Sequence, residues 1–205
     1  MVISVLGISG SPHRHGNTET LLDSFLEGAK AAGAMVEKVV LRDLDISPCR
    51  GCNACHKNGE CVVKDDAIVL FEKVLKCDCL AIASPIYTMG ITAELKGFID
   101  RGQFLWARKF VLKTLYFSDD HIRRHKGLFV STAGQSWDHV FDGAFPAITA
   151  IFNSTGFEYY DNIIANNMDE YKGIKNHPTA LKDAFLKGQK VIAIVEKLHK
   201  DPGTT

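Results

Sequence analysis

Neither sign of charge is in excess in this chain: 24 Lys and Arg are matched by 24 Asp and Glu. Without a net field no polyanion is drawn to the whole molecule, so nucleic acid and acidic membrane surfaces are excluded as partners on that ground. Long apolar runs are missing too. The first one, Met1 to Ile8, follows no charged segment and is far too short for a secretory signal or a membrane span, so a cytoplasmic location without a membrane partner is expected. No internal repeat or low-complexity tract is present. What remains is globular: 205 residues, 46% hydrophobic and 23% charged, suit one domain over residues 1–205 with a sizeable core.

Short β-branched or apolar runs alternate with longer amphipathic stretches, the pattern of an α/β protein whose parallel sheet is covered by helices on both faces. Strands are expected at Met1 to Ile8, Met35 to Leu41, Cys79 to Ala83, Gly127 to Ser131 and Tyr159 to Ala165. A first helix is predicted after Gly16, capped by Asn17 or Thr18 and stopped at Gly33, and another opens at Asp65 and Asp66. The last runs from about Thr179 to Lys200, with Leu181, Phe185, Val191, Ile194 and Leu198 turned inward. Asp201 to Thr205 reads as a tail. Between the third helix and the fourth strand, residues 101–126 mix Arg101, Arg108, Lys109, Lys113, Arg123, Arg124 and Lys126 with Phe104, Trp106, Phe110, Tyr116 and Phe117. So many large apolar side chains call for burial in a core or a subunit interface; a basic lip for an anionic cofactor is the alternative.

Three loops leave the carboxyl ends of the strands, where open α/β sheets bind ligands. The first, Gly7-Ile-Ser-Gly-Ser-Pro-His-Arg-His-Gly-Asn-Thr, opens a helix, so its N–H groups suit a phosphate. Ser9, Ser11, Asn17 and Thr18 add neutral donors there, and His13 and Arg14 add positive charge at the rim. It is not a nucleoside triphosphate loop: Gly10 and Gly16 are separated by five residues rather than four, Asn17 stands where a Walker lysine belongs, and no G-x-G-x-x-G occurs. A single terminal phosphate fits better; a plain Ser/Gly-rich helix cap is the simpler reading. The second loop, Ser84-Pro-Ile-Tyr-Thr-Met-Gly, offers Tyr87 and Met89 to the faces of a planar ring, and Ser131-Thr-Ala-Gly-Gln forms the third.

Cys49, Cys52, Cys55 and Cys61, spaced C-x2-C-x2-C-x5-C, crowd into thirteen residues. In a reducing compartment such a group serves as metal ligands or redox thiols rather than as disulfides. One thiolate per iron suits a [4Fe–4S] cube, with Gly51 and Gly59 easing the backbone around it. Structural zinc and free, oxidisable thiols stay open as alternatives, although zinc more often uses two separated C-x2-C knuckles. Cys77 and Cys79, which bracket Asp78, are expected to be buried thiols.

Gly-Ser-Pro followed by Gly-Asn-Thr, then Ser-Pro-Ile-Tyr and Leu95-Lys-Gly-Phe-Ile-Asp-Arg, resembles the flavodoxin-like NADPH-dependent FMN reductase family over about the first two thirds of the chain. The cysteine-rich loop at residues 47–64 makes the chain look most like the iron–sulfur flavoproteins of that group. The resemblance implies a doubly wound parallel five-stranded sheet of order 2-1-3-4-5, FMN as cofactor, and a homodimer or homotetramer. It assigns Ser9, Ser11, His13, Asn17 and Thr18 to a phosphate loop, Pro85, Ile86, Tyr87, Thr88 and Met89 to a flavin-ring loop, and Ser131, Thr132, Ala133 and Gly134 to a third loop. The family often carries Arg or Lys where His13 stands, a difference Arg14 is expected to offset.

The function expected is therefore an FMN-dependent oxidoreductase or electron-transfer flavoprotein with a [4Fe–4S] cluster. Flavin takes a hydride from NAD(P)H and releases electrons singly, so no side chain need act as acid or base. NAD(P)H or reduced ferredoxin is the expected donor, and a small molecule or protein the acceptor. Two other classes are a flavodoxin-type carrier, whose usual acidity this chain lacks, and a zinc-bearing interaction module.

Overall fold

In the computed structural model, which describes residues 1–201, the chain runs β1 (Ser4–Ser9), α1 (Asn17–Ala31), β2 (Met35–Val40), α2 (Cys55–Asn58), α3 (Asp66–Val74), β3 (Cys79–Pro85), α4 (Ala93–Arg101), α5 (Gln103–Trp106), α6 (Asp119–Arg124), β4 (Lys126–Thr132), α7 (Phe145–Thr155), β5 (Glu158–Ala165), α8 (Met168–Tyr171) and α9 (Ala180–Lys200). Residues 202–205 of the expected tail lie outside the described residues. The five strands pair in parallel in the order β2-β1-β3-β4-β5, as expected. β1 starts later than the apolar run suggests, because its pairing with β2 begins at Ser4 and Met35 and leaves Met1 and Val2 exposed.

The central strands are apolar throughout because both faces are covered. Along β3, Cys79, Ala81 and Ala83 pack with α1 and α9, while Leu80 and Ile82 pack with α3, α4, α5 and α7. Cys77 joins the second layer and Cys79 the first, so both thiols are buried as expected, on opposite sides of the sheet. Among the described residues no helix is long and apolar enough to cross a membrane.

The inward face of α9 differs from the expected one. Its buried residues are Ala180, Ala184, Gly188, Val191, Ile192 and Val195, whereas Leu181, Phe185, Ile194 and Leu198 are half-buried at the flanks. The cause is a backbone-to-backbone crossing with α1: a Cβ on Gly28 would lie 2.0 Å from the Phe185 carbonyl oxygen, and one on Gly188 would lie 2.2 Å from that of Phe25. Small residues must line that seam, which turns the bulky ones aside.

The segment at 101–126 divides: its first part enters the core, one of the settings expected for it, and the alternative of a basic lip fails at its end. Arg101 ends α4 with its side chain 1% exposed, and Lys126 begins β4, buried and paired with Glu158. Phe104, Leu105 and Ala107 enter the core, and Ala107–Val111 forms a π-helical turn. Arg123 and Arg124 pair with Asp120 within α6. Since α6 leads straight into β4, they sit at the amino end of the sheet, away from the three ligand loops, and cannot form a lip over those loops.

Candidate functional site

The loops after β1, β3 and β4 are bolted together by hydrogen bonds that cross between them. Gly10 N–H donates to the Ala83 carbonyl at 2.8 Å, Ile86 N–H to the Thr132 carbonyl at 3.0 Å, and the Thr92 hydroxyl to the Gly10 carbonyl at 2.6 Å. The Ser131 hydroxyl donates to the Ser84 carbonyl at 2.7 Å, and the Thr18 and Thr132 hydroxyls meet at 2.5 Å. Between them lies a crevice of about 280 Å³, walled by Ser11, His13, Gly16, Asn17, Thr18, Pro85, Ile86, Tyr87, Thr132, Ala133, Gly134, Met168 and Asp169. It stands at the carboxyl end of the strands, where the sheet order reverses and ligands of such sheets bind.

The phosphate end is built by α1. Its N-cap is Gly16 with no capping side chain, so the first-turn N–H groups face the crevice uncapped. Asn17 and Thr18 are thus not caps, contrary to expectation: the Asn17 amide oxygen accepts from Ile174 N–H at 3.0 Å, and Thr18 is spent on Thr132. His13 is exposed at the rim. Arg14 does not join it, because its guanidinium pairs with Asp43 at 2.5 Å. Ser9 is fully buried beneath the loop, where its hydroxyl accepts from Ser11 N–H at 3.5 Å, and Ser131 is likewise turned inward.

The ring end is a tight turn. Tyr87 and Gly90 exchange both backbone hydrogen bonds, at 2.9 and 3.0 Å, across Thr88 (φ 48°) and Met89 (φ 64°). Two left-handed residues in succession mark a type I′ turn, a conformation unfavourable for a β-branched threonine. Met89 is held by close approach of the chain after β4, since a Cβ on Gly143 would lie 2.0 Å from its carbonyl oxygen. Thr88 and Met89 therefore shape the turn but do not wall the crevice, whereas Tyr87 does and stays 44% exposed.

Three features escaped the sequence reading. Met168 and Asp169 reach the crevice through α8, whose Met168 N–H donates to the Ala133 carbonyl at 3.1 Å; a four-residue helix gives no periodic signal. Glu19 is buried and accepts from His15 N–H at 2.9 Å and from the Lys38 ammonium at 2.8 Å. Burial alone would raise its carboxyl; these hydrogen bonds outweigh that and hold it below the usual carboxylate range. Glutamate three residues after the N-cap Gly16 was the available signal.

Away from the crevice, Cys49, Cys52, Cys55 and Cys61 line one cavity of about 190 Å³ together with Arg101 and Phe104. All four are free thiols; Cys49 and Cys52 are exposed, and Cys55 is buried, which pushes its thiol up. Left-handed backbone at Gly51, Asn53 and Gly59 lets the loop curl around the cavity. Among the described residues no three His, Cys, Asp or Glu converge closely enough to hold a metal ion, so the loop brings its thiols to one cavity without bringing them to bonding distance of one point. The donor set nevertheless fits an iron–sulfur cluster: soft thiolates around a single cavity, next to a buried cation. Burial holds down the charge of Arg101, but its hydrogen bond to Asp65 outweighs burial and raises the guanidinium above its ordinary value.

A parallel sheet of this order, with a crevice across the loops after β1, β3 and β4, defines a flavodoxin-like protein. Residues 3–137 match the NADPH-dependent FMN reductase family, and the chain belongs to that family. It is 40% identical over 99 residues to an iron–sulfur flavoprotein of Archaeoglobus fulgidus, covering 48% of this chain and 45% of that one. It is 34% identical over 111 residues to the iron–sulfur flavoprotein of Methanosarcina thermophila, covering 54% and 58%. The chain thus spans about half the length of these curated relatives. In structure it is similar to an azoreductase from Bacillus anthracis, with a TM-score of 0.67, 15% identity and coverage of 92% of this chain and 100% of that one. A flavodoxin from the Archaea gives a TM-score of 0.54 at 12% identity, covering 95% and 99%. At such identities the structural likeness shows the fold alone.

Proposed function

We propose that this protein is an FMN-dependent oxidoreductase whose cysteine loop carries a [4Fe–4S] cluster, passing electrons from NAD(P)H or reduced ferredoxin to a small-molecule or protein acceptor. The observation that carries this reading is one crevice with an uncapped helix start at one end and an exposed tyrosine turn at the other, in a chain of the FMN reductase family. When bound, FMN supplies exchange between two-electron and one-electron carriers, and a cluster supplies a one-electron store.

The chain's own residues bind and orient. First-turn N–H groups of α1 and the Ser11 and Asn17 side chains would receive the phosphate, with His13 adding charge at the rim, while Thr18 holds the loop in place through Thr132. The Pro85 to Tyr87 backbone would meet the ring edge and Tyr87 would cover a ring face, with Thr88 and Met89 shaping the turn that presents it. Ala133 and Gly134 close the far wall, and Ser9, Ser131 and Thr132 hold the loops beneath. The exposed Tyr87, Met89 and Trp137 beside the crevice favour a homodimer or homotetramer that covers them, and the reading places the protein in the cytoplasm.

Protein purified without oxygen is expected to show flavin absorbance together with iron and acid-labile sulfide. NADH, NADPH and reduced ferredoxin are then added singly; one of them bleaches the flavin if the reductase reading holds, and bleaching by none overturns it. Cys52→Ser is expected to lose brown colour and keep yellow, while loss of both colours would make the loop a structural element of the flavin site.

A further inference from the structure

Arg101 closes the cysteine loop at its base. Its Nη1 donates to the Ser47 carbonyl at 2.8 Å and to Asp65 Oδ2 at 2.5 Å, and its Nη2 to the Val63 carbonyl at 3.0 Å. These partners stand at the first residue of the loop and at its end, and Ser47 N–H donates to the same Asp65 oxygen at 3.0 Å. A fourth bond is of a different kind: Nη2 lies 3.4 Å from Cys61 Sγ, as donor to sulfur. Arg101 lines the cavity shared by the four cysteines with its side chain 1% exposed, and its buried Nε–H has no partner. A buried cation with a spare donor is costly unless something anionic completes it. Four thiolates outweigh the positive charge of an iron–sulfur core, so a filled site is anionic and gains one more negative charge on reduction.

We propose that Arg101 is the positioning residue of the cysteine site, tying both ends of the loop together and setting, through its hydrogen bond to Cys61 and its buried charge, the potential at which the site accepts an electron. This rests on the cluster reading above. Hydrogen bonds to cluster sulfur and nearby positive charge stabilise the more negative, reduced form. One electron enters, and no proton moves at Arg101, because a guanidinium stays charged throughout. Asp65 offsets the arginine, so neutralising each partner must move the potential in opposite directions.

The test uses anaerobic holoprotein titrated with dithionite and followed by electron paramagnetic resonance, with iron, sulfide and flavin assayed on each sample. Arg101→Gln is expected to lower the reduction equilibrium constant about tenfold, which is 59 mV for a one-electron couple. Asp65→Asn, which retains a good helix cap, is expected to raise it by about the same factor. Should Arg101→Gln fail to assemble, the upward shift in Asp65→Asn decides alone. Unchanged potentials, or shifts of the same sign in both variants, with iron and sulfide at wild-type levels, overturn the role of Arg101 and leave the cluster reading intact. Wild-type protein without iron and sulfide overturns the cluster reading and this inference with it.

Discussion

The seam between α1 and α9 makes a quantitative prediction for Gly28→Ala. In a helix interior, alanine in place of glycine normally gains about 0.5–1 kcal/mol by reducing the freedom of the unfolded chain. At Gly28 the new Cβ would lie 2.0 Å from the Phe185 carbonyl oxygen and 2.7 Å from its carbon. Those are backbone atoms, so no rotamer change relieves the clash and α9 must shift. Overpacking of this kind costs about 1–3 kcal/mol, occasionally more, and the propensity gain offsets only part of it. With a net loss of about 2 kcal/mol, Tm falls by roughly 4–8 °C for a protein of this size. Because α1 also opens the phosphate end of the crevice, FMN affinity is expected to fall with it. Gly97→Ala in α4 is the matched control: nothing lies within 4 Å of its added Cβ, so the same substitution is expected to raise Tm slightly. Calorimetry on the two variants and wild type checks the sign at each site. A Gly28→Ala protein as stable as wild type would refute the backbone crossing.

Thr18→Val leaves the buried Thr132 hydroxyl without its partner and is expected to cost about 1–3 kcal/mol, whereas Thr18→Val with Thr132→Val recovers part of that loss; urea unfolding of the four proteins measures the coupling, and additive losses would contradict it. Glu19 titrates below its unfolded-state value, so its stabilisation is complete above that value and is lost as pH falls through the folded one. Glu19→Gln is expected to be less stable at neutral pH and to show a shallower acid limb from pH 7 to 3, and parallel curves would count against the linkage. Burial pushes the Cys77 thiol up to about 12 and raises Cys79 as well, so in cluster-free protein iodoacetamide at about pH 8 is expected to label the exposed Cys49 and Cys52 and to reach Cys77 and Cys79 only after denaturation. Peptide mapping by mass spectrometry reads the outcome.

The strands were legible because a doubly covered parallel sheet requires continuous apolar runs, and Leu80 to Ala83 or Leu128 to Val130 have few other uses. The inner face of α9 was not. Periodicity assigns large apolar residues inward, yet Phe185 is displaced by a contact that Gly28 and Gly188 make possible on two helices far apart in sequence. The crevice residues were legible from loop position, but not which of them face it. Arg14 looked like a phosphate ligand until the chain after β2 placed Asp43 beside it, and no local spacing ties Arg101 to the cysteine loop under which α4 carries it.

By itself the sequence determined the element types, the carboxyl-edge loops and the cluster of thiols, since those depend on local spacing and backbone chemistry. Only the tertiary structure decided which polar groups oppose one another: Thr18 against Thr132, Glu19 against Lys38, and Arg101 between Ser47, Asp65 and Cys61. Charge and hydrogen-bond pairing act over a few ångströms, and chain separation along the sequence says nothing about which groups the fold brings within that range.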